Sequence, residues 1–345
     1  MNMSNESCEP IANLLVRRAD ARWWPVALSE QVSSKVPLGV MCDGEPVVLY
    51  RDATGAVRAL EDRCRHRRAP LSLGRITSDG QLQCGYHGWT YDGITGICVT
   101  IPNLSTSERV PSHYAARAYS VLERDGFVLI RAQSAGDDEP IGLAAVPAAC
   151  SQHFSGSVTV GLSHEQYVAA LVDDPELLMH IAGLRITNYV SADPAPHGTL
   201  VSMERGVVWA SRKRNHRFVT QYPWSLSVAA MARGALTTIE LYTSEEELAL
   251  WAAIGITPAA RGTTAVLWRG GVLATAGGLD AVRFRLGAKL GRRPFEMRAQ
   301  IDAHALARLD VASSRDWRQL LRANEPARDA QVSEMMAKDM GTIDG

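Results

Sequence analysis

Two short pairs of soft ligands constrain this chain more than any other feature. Cys64-x-His66 is followed, after seventeen residues, by Cys84-x-x-His87, within the stretch CRHRRAPLSLGRITSDGQLQCGYHGW that covers residues 64–89. Two chemistries use two cysteines and two histidines. Zinc binds such a set tetrahedrally around one point. A [2Fe–2S] cluster of mixed ligation takes two thiolates on one iron and two imidazoles on the other. Zinc fingers present a Cys pair and then a His pair, whereas each pair here is mixed. Mixed pairs suit a flat two-iron cluster gripped by two loops, each loop giving one ligand to each iron. Gly85 and Gly88 let the backbone turn close to the sulfides. Tyr86 is placed to hydrogen-bond a cluster sulfur, and Trp89 to pack beneath the loop. Neutral imidazoles in place of two thiolates leave the cluster less negative, which raises its potential.

A chain of 345 residues has room for a second domain beside such a site. With 46% hydrophobic and 21% charged residues it has the make-up of a globular protein with a real core. A net charge of −1 gives no reason to expect nucleic acid as a partner. No apolar run is long enough to span a membrane, and residues 1–20 lack the pattern of a secretion signal. Beyond the two candidate ligands, Cys8, Cys42, Cys98 and Cys150 are scattered without the spacing of a disulfide framework. They read as reduced thiols of a cytoplasmic protein.

Along the chain, residues 1–20 form a lead-in and Trp23 and Trp24 begin the ordered part as packing residues. Residues 47–50 and 57–60 alternate around Asp-Ala-Thr-Gly, a hairpin signal, and 99–101 and 128–130 are further strands. The small, polar segment 132–142 marks a domain boundary. After it, 155–162 reads as a strand and 164–184 as a helix interrupted at Asp174-Pro175. More strands follow, in LVSMERGVVWASRK, HRFVTQYPWSLSVAA and LTTIELYT, then two around a turn at 258–262. Ser314 and Pro326 can each start a helix in the tail.

The ligand stretch, with CGYHGWTYDGITG behind it, RWWPVALSEQV and VVLYRDATGAVRALEDRC upstream and VLERDGFVLIR downstream, resembles the Rieske domain of the ring-hydroxylating and demethylating non-haem iron oxygenases. The likeness covers roughly residues 20–132, and the later chain resembles the family in outline only. It implies an α+β protein: a lead-in over 1–20, an antiparallel-β Rieske [2Fe–2S] domain over 21–135, and a helix-grip, START-like catalytic-type domain over 136–345. It also implies that Cys64 and Cys84 hold one iron and His66 and His87 the other.

In that family the cluster feeds electrons to a mononuclear Fe(II) held by two histidines and a carboxylate. The family motif is Asp, usually followed by Pro, with His three residues on and a second His five later. Setting Asp174-Pro175 on that motif places Leu177 and Ala182 at the two His positions. The third ligand, an Asp at the start of a helix in a Phe-x-x-Asp segment, is matched by Arg298 in PFEMR. A guanidinium keeps its proton and repels a divalent cation. The mononuclear site is therefore expected to be absent. A substitute built on His180 and Glu176, four residues apart and so on one helix face, is the other reading. His164, His197, His304 and Asp302 carry no pattern. Asp174 matches the family acid that links the Rieske His of one subunit to an iron ligand of the next, and it equally reads as a helix-ending Asp before Pro175.

Three functions fit these readings. The first is an auxiliary, electron-carrying subunit that works with a catalytically complete oxygenase chain in O₂-dependent hydroxylation or demethylation of a small organic substrate. The second is a self-sufficient Rieske oxygenase subunit with atypical iron ligands. The third is a Rieske electron-transfer or ligand-binding protein outside oxygenase chemistry. The resemblance implies a trimer or hetero-oligomer and a ferredoxin or a flavin/iron–sulfur reductase as electron donor.

Overall fold

The computed structural model describes residues 23–105, 108–132, 147, 150–197, 200–210, 224–231, 235–290 and 293–301. The expected lead-in, the 132–142 boundary (but for Ala132), the tail helices, Asp302 and His304 lie outside these residues, as does the side chain of His197.

The N-terminal half is built from short antiparallel strands. These are β1 (Trp24–Leu28), β2 (Leu38–Cys42), β3 (Glu45–Arg51), β4 (Val57–Glu61), β5 (Arg75–Ile76), β6 (Leu82–Gln83), β7 (Thr90–Tyr91), β8 (Cys98–Thr100), β9 (Tyr119–Arg124) and β10 (Phe127–Ala132). They form three small sheets, ordered β1-β10-β9, β2-β3-β4 and β5-β6-β7-β8. The predicted hairpin is β3–β4. Its strand β3 serves two cores at once, because successive side chains point to opposite faces. Val47 and Leu49 pack with Trp24, Val128 and Ile130, whereas Val48 and Tyr50 pack with Leu71, Leu82 and Tyr91 beneath the ligand loops.

The C-terminal half is β11 (Cys150–Val160), helix α1 (His164–Asp173), a 3₁₀ turn (Pro175–Leu177), β12 (Met179–Ile181), β13 (Leu184–His197), β14 (Leu200–Trp209), β15 (Trp224–Met231), β16 (Leu236–Tyr242), β17 (Leu248–Pro258), β18 (Thr264–Leu273), α2 (Gly278–Lys289) and β19 (Phe295–Met297). Seven strands make one antiparallel sheet in the order β11-β18-β17-β16-β15-β14-β13, while β12 and β19 pair separately. This is the α+β arrangement expected from the sequence, with the turn at 258–262 in place. Ser163 caps α1 in a capping box with Gln166, whose two side-chain oxygens accept from the otherwise unpaired Gln166 and Ser163 amides.

Two details depart from the sequence reading. The helix expected to run past Pro175 ends at Asp173, and residues 179–181 are a strand instead. Pro175 cannot donate to the helix ladder and disfavours helical backbone in Asp174 before it; Asp174 is accordingly non-helical, at φ −148°. The second is helix α2, which the sequence reading did not place.

The halves meet across an apolar seam. Trp251, Ala253 and Leu267 on one face of the large sheet pack against Leu28, Phe127 and Leu129, while Leu250, Ala252 and Ile254 on the other face pack under α1 and α2. Gly255 is small for a reason: a Cβ there would stand 2.8 Å from Pro25 Cβ. Thr257 donates to the Pro25 carbonyl at 2.6 Å, and the Asp43 and Gly44 amides of the β2–β3 turn donate to Pro258 and Ala259. No helix among the described residues is long and apolar enough to cross a membrane.

Candidate functional site: a two-loop iron–sulfur centre

The first ligand loop follows β4 and the second is the turn between β6 and β7. The two are built alike. In each, the amide four residues after the cysteine donates to the cysteine carbonyl: Arg68 to Cys64 at 2.7 Å, and Gly88 to Cys84 at 3.1 Å. In each, the cysteine amide donates to the carbonyl five residues on: Cys64 to Ala69 at 2.9 Å, and Cys84 to Trp89 at 2.8 Å. The fourth position is left-handed in both, at φ +56° for Arg68 and +73° for Gly88. The loops also abut, since a Cβ on Gly85 would come 2.8 Å from the Leu73 carbonyl oxygen of the first loop.

This doubled turn sorts the four donors by element. Cys64 and Cys84 point inward, each 2% exposed, and their sulfurs lie within hydrogen-bonding reach of each other. His66 and His87 are exposed at the tip, with ring centroids 4.6 Å apart. Among the described residues no three His, Cys, Asp or Glu side chains are arranged to hold a single metal ion. Two thiols below and two imidazoles above match the donor split of a [2Fe–2S] cluster, with thiolates on one iron and imidazoles on the other. Burial pushes the Cys84 thiol up, and Cys64 adds to this, while the Tyr86 and His87 amides aimed at its sulfur pull it down. Those amides are the donors a bound thiolate needs. His87 is held below its ordinary value by local desolvation and then by His66 and Arg67, which favours the neutral imidazole that ligates iron.

Trp89 packs where expected, stacked on the His66 ring at 4.9 Å and edge-on to Tyr114. Tyr86 does not take the role expected of its hydroxyl. It is 63% exposed and its ring lies over His87, and only its backbone reaches a sulfur. The tyrosine at a ligand sulfur is Tyr91, whose hydroxyl is 3.2 Å from Cys64 Sγ. The β6–β7 hairpin pairing of Leu82 with Tyr91 turns that side chain inward under the loop.

At the second place singled out by sequence, Asp174 forms the C-cap of α1 and is partly buried. Burial raises its carboxyl and Arg205 opposes this. Arg205 also donates to the Val172 and Asp173 carbonyls at the helix end. Leu177 packs against the core of the sheet, and the Ala182 amide donates to the Pro294 carbonyl. Arg298 donates its amide to Leu178 and its Nε to the Met179 carbonyl, and its Nη2 is 3.6 Å from Glu176 Oε1. The three positions expected to be non-ligands therefore sit on adjoining elements. His180 and Glu176 do not share a helix face: Glu176 is on the 3₁₀ turn and accepts from the Ile186 amide, while His180 is exposed on β12 opposite Glu296. His164 packs edge-on against Trp24 across the seam.

Residues 22–115 match the family profile described as the Rieske [2Fe-2S] domain. Over 108 residues the chain is 41% identical to the chloroplastic protein TIC 55 of Arabidopsis thaliana, covering 31% of this chain and 20% of that protein. It is also 44% identical over 108 residues to the oxygenase component of dicamba O-demethylase from Stenotrophomonas maltophilia, covering 31% of this chain and 30% of that protein. The aligned stretch thus spans less than a third of either relative. The fold extends the likeness. The crystal structure of dicamba monooxygenase bound to dicamba superposes with a TM-score of 0.58 at 22% identity, covering 88% of this chain and 99% of that one. This is a Rieske-domain protein with the fold of the Rieske non-haem iron oxygenases. The caffeine complex of NdmA from Pseudomonas putida gives a TM-score of 0.56 at 20% identity, covering 87% and 89%. The Rieske domain carries the sequence identity, whereas the C-terminal half keeps the fold with little of the sequence.

Proposed function

We propose that this chain is an auxiliary, electron-carrying subunit of a cytoplasmic Rieske oxygenase. It holds a [2Fe–2S] cluster on Cys64, His66, Cys84 and His87, lacks the two-His, one-carboxylate iron ligands, and works beside a catalytically complete related chain. The complex carries out O₂-dependent hydroxylation or demethylation of a small organic substrate. One observation carries this reading. Arg298, at the position matched to the third iron ligand, places a guanidinium against Glu176, and Leu177 and Ala182 offer no donor beside it.

A cluster in this site supplies one electron at a time. The chain's residues decide where that electron can pass. The thiol side is sealed by Leu71, Leu82 and Tyr91, and the imidazole side faces solvent. Each ligating imidazole uses one nitrogen for iron and leaves an N–H for an acid, and Asp174 of a neighbouring subunit is the acid we assign to it. Exposed Arg67, Arg68 and Arg75 around the tip give an acidic ferredoxin or reductase a complementary surface.

The test is iron and acid-labile sulfide per chain after anaerobic reconstitution. Two irons and two sulfides, with no turnover until a catalytic chain is added, are expected. Three irons and two sulfides would overturn the auxiliary role.

A further inference from the structure

A cavity of about 920 Å³ opens at the seam between the two halves, the size of pockets that enclose whole small molecules. Val26, Leu38 and Met41 of the N-terminal half and Ala265 and Leu267 of the large sheet give it an apolar wall from both sides. Gln31 Nε2 donates to Ser157 Oγ across the seam at 3.1 Å, and the Gly44 amide donates to the Ala259 carbonyl at 2.7 Å. Gln31, Ser157 and Ala259 all line the cavity, so it takes both halves to form it.

Asp62 is the one ionisable side chain among the described residues that line it, and it is 7% exposed. Its Oδ1 accepts the Ser72 amide at 2.7 Å and its Oδ2 the Ser72 hydroxyl at 2.6 Å. A carboxylate has about four acceptor sites, so these bonds leave room for further donors. Neighbouring Glu61 meets Arg63, Arg65 and Arg68, whereas no cation among the described residues pairs with Asp62. Buried charges are nearly always paired, so a carboxylate at this depth lacks a counter-ion. Gly39, which also lines the cavity, leaves that carboxylate uncovered: a Cβ there would stand 3.3 Å from Asp62 Oδ2 and 3.0 Å from Ser72 Oγ.

We infer that the seam cavity binds a small organic ammonium ion, with its N–H groups on the Asp62 carboxylate and its carbon body against Val26, Leu38, Met41 and Leu267. The lining selects this chemistry. One anion and no cation favour positive charge, and an anionic ligand would meet Asp62 with like charge. The apolar wall favours a carbon-rich body over a bare metal ion. Calcium takes roughly six to eight oxygen ligands, and no three His, Cys, Asp or Glu side chains converge here among the described residues. Asp62 and Ser72 bracket the first ligand loop in the chain, so the bound cation sits at the foot of that loop.

The experiment is isothermal titration calorimetry of the full-length chain with 2-phenylethylamine, protonated at pH 7 as a lysine is, against the uncharged 2-phenylethanol. The amine should bind one per chain and roughly tenfold tighter than the alcohol, the worth of a charge-assisted hydrogen bond. Asp62→Asn should remove that preference while the alcohol binds as before. Gly39→Ala should weaken the amine more than the alcohol with the carboxylate still in place. Should Asp62→Asn not fold, Gly39→Ala keeps the charge test, and Ala265→Phe, which fills the cavity, should abolish binding of both compounds. Wild type that binds no amine, or binds amine and alcohol equally, overturns the inference. So does a preference for the amine that survives either Asp62→Asn or Gly39→Ala unchanged. The iron count tests the electron-carrying role separately, and neither result decides the other.

Discussion

Arg298 is tethered to the residue it neutralises. Its guanidinium is 3.6 Å from Glu176, and its amide and Nε bond the Leu178 and Met179 carbonyls that follow that glutamate. Glu176 in turn accepts the Ile186 amide. One cation and the glutamate beside it thus join the 3₁₀ turn after α1, the start of β13 and the end of β19.

The pair makes stability depend on pH in a specific direction. Burial holds the Glu176 carboxyl above its ordinary value of 4.5, with the Ile186 amide, Arg298 and His180 pulling it back. A carboxyl raised in the native state binds its proton more tightly folded than unfolded, so the native state loses stability as pH rises from about 4.5 through the raised value. Removing Arg298 lifts that value further. Arg298→Met, which also gives up the Nε bond to Met179 at every pH, should therefore fall further below wild type near pH 7 than near pH 4. The extra deficit should be about 1 kcal/mol, because both side chains are partly solvated. Adding Glu176→Gln should remove it. Calorimetry across that range checks this, and a deficit independent of pH would show that the pair is not the cause.

The equivalence of Arg68 and Gly88 gives a second prediction. Both are left-handed, a conformation that costs a residue with a side chain roughly 1–2 kcal/mol. Arg68→Gly should be tolerated, with little change in melting temperature or cluster content. Gly88→Ala combines the strained φ with a Cβ 3.0 Å from Pro102 Cγ. It should lower both stability and the iron recovered per chain. Equal behaviour of the two variants would show that the loops are not matched in this way.

The seam between the halves is testable through Gly255. Its missing Cβ is what lets Pro25 lie on the sheet. Gly255→Val should destabilise by about 1–3 kcal/mol, as overpacked interiors do, and should split the unfolding endotherm as the halves lose their common core. A single endotherm at the wild-type temperature would mean that the seam can yield.

The two Cys–His pairs that the structure brings onto neighbouring loops, the β3–β4 hairpin and the turn at 258–262 were legible in the sequence because each is local: spacing, alternation or a turn residue specifies it. Tyr91 was not, since CGYHGWTY contains two tyrosines and only the pairing of β6 with β7 decides which one turns inward. Helix α2 was missed for a different reason. Ala281 and Phe284 are buried while Leu279, Val282 and Leu286 are exposed, so its apolar residues do not mark the face that packs. His180 and Glu176 have helical spacing, but Pro175 lies before both and the chain answers to the proline.

The last prediction concerns the ligand set itself. Cys84 is buried and receives two amides, so Cys84→Ser should leave the fold nearly intact while removing a thiolate that the centre requires. The visible absorption of the reconstituted protein should disappear; a retained Rieske spectrum would show the ligand assignment to be wrong. His87→Cys tests the other side. His87 is exposed at the tip, so a smaller side chain there gives up only its ring contacts with His66 and Tyr86. A thiolate in place of a neutral imidazole adds negative charge, and the midpoint should fall wherever the cluster still assembles.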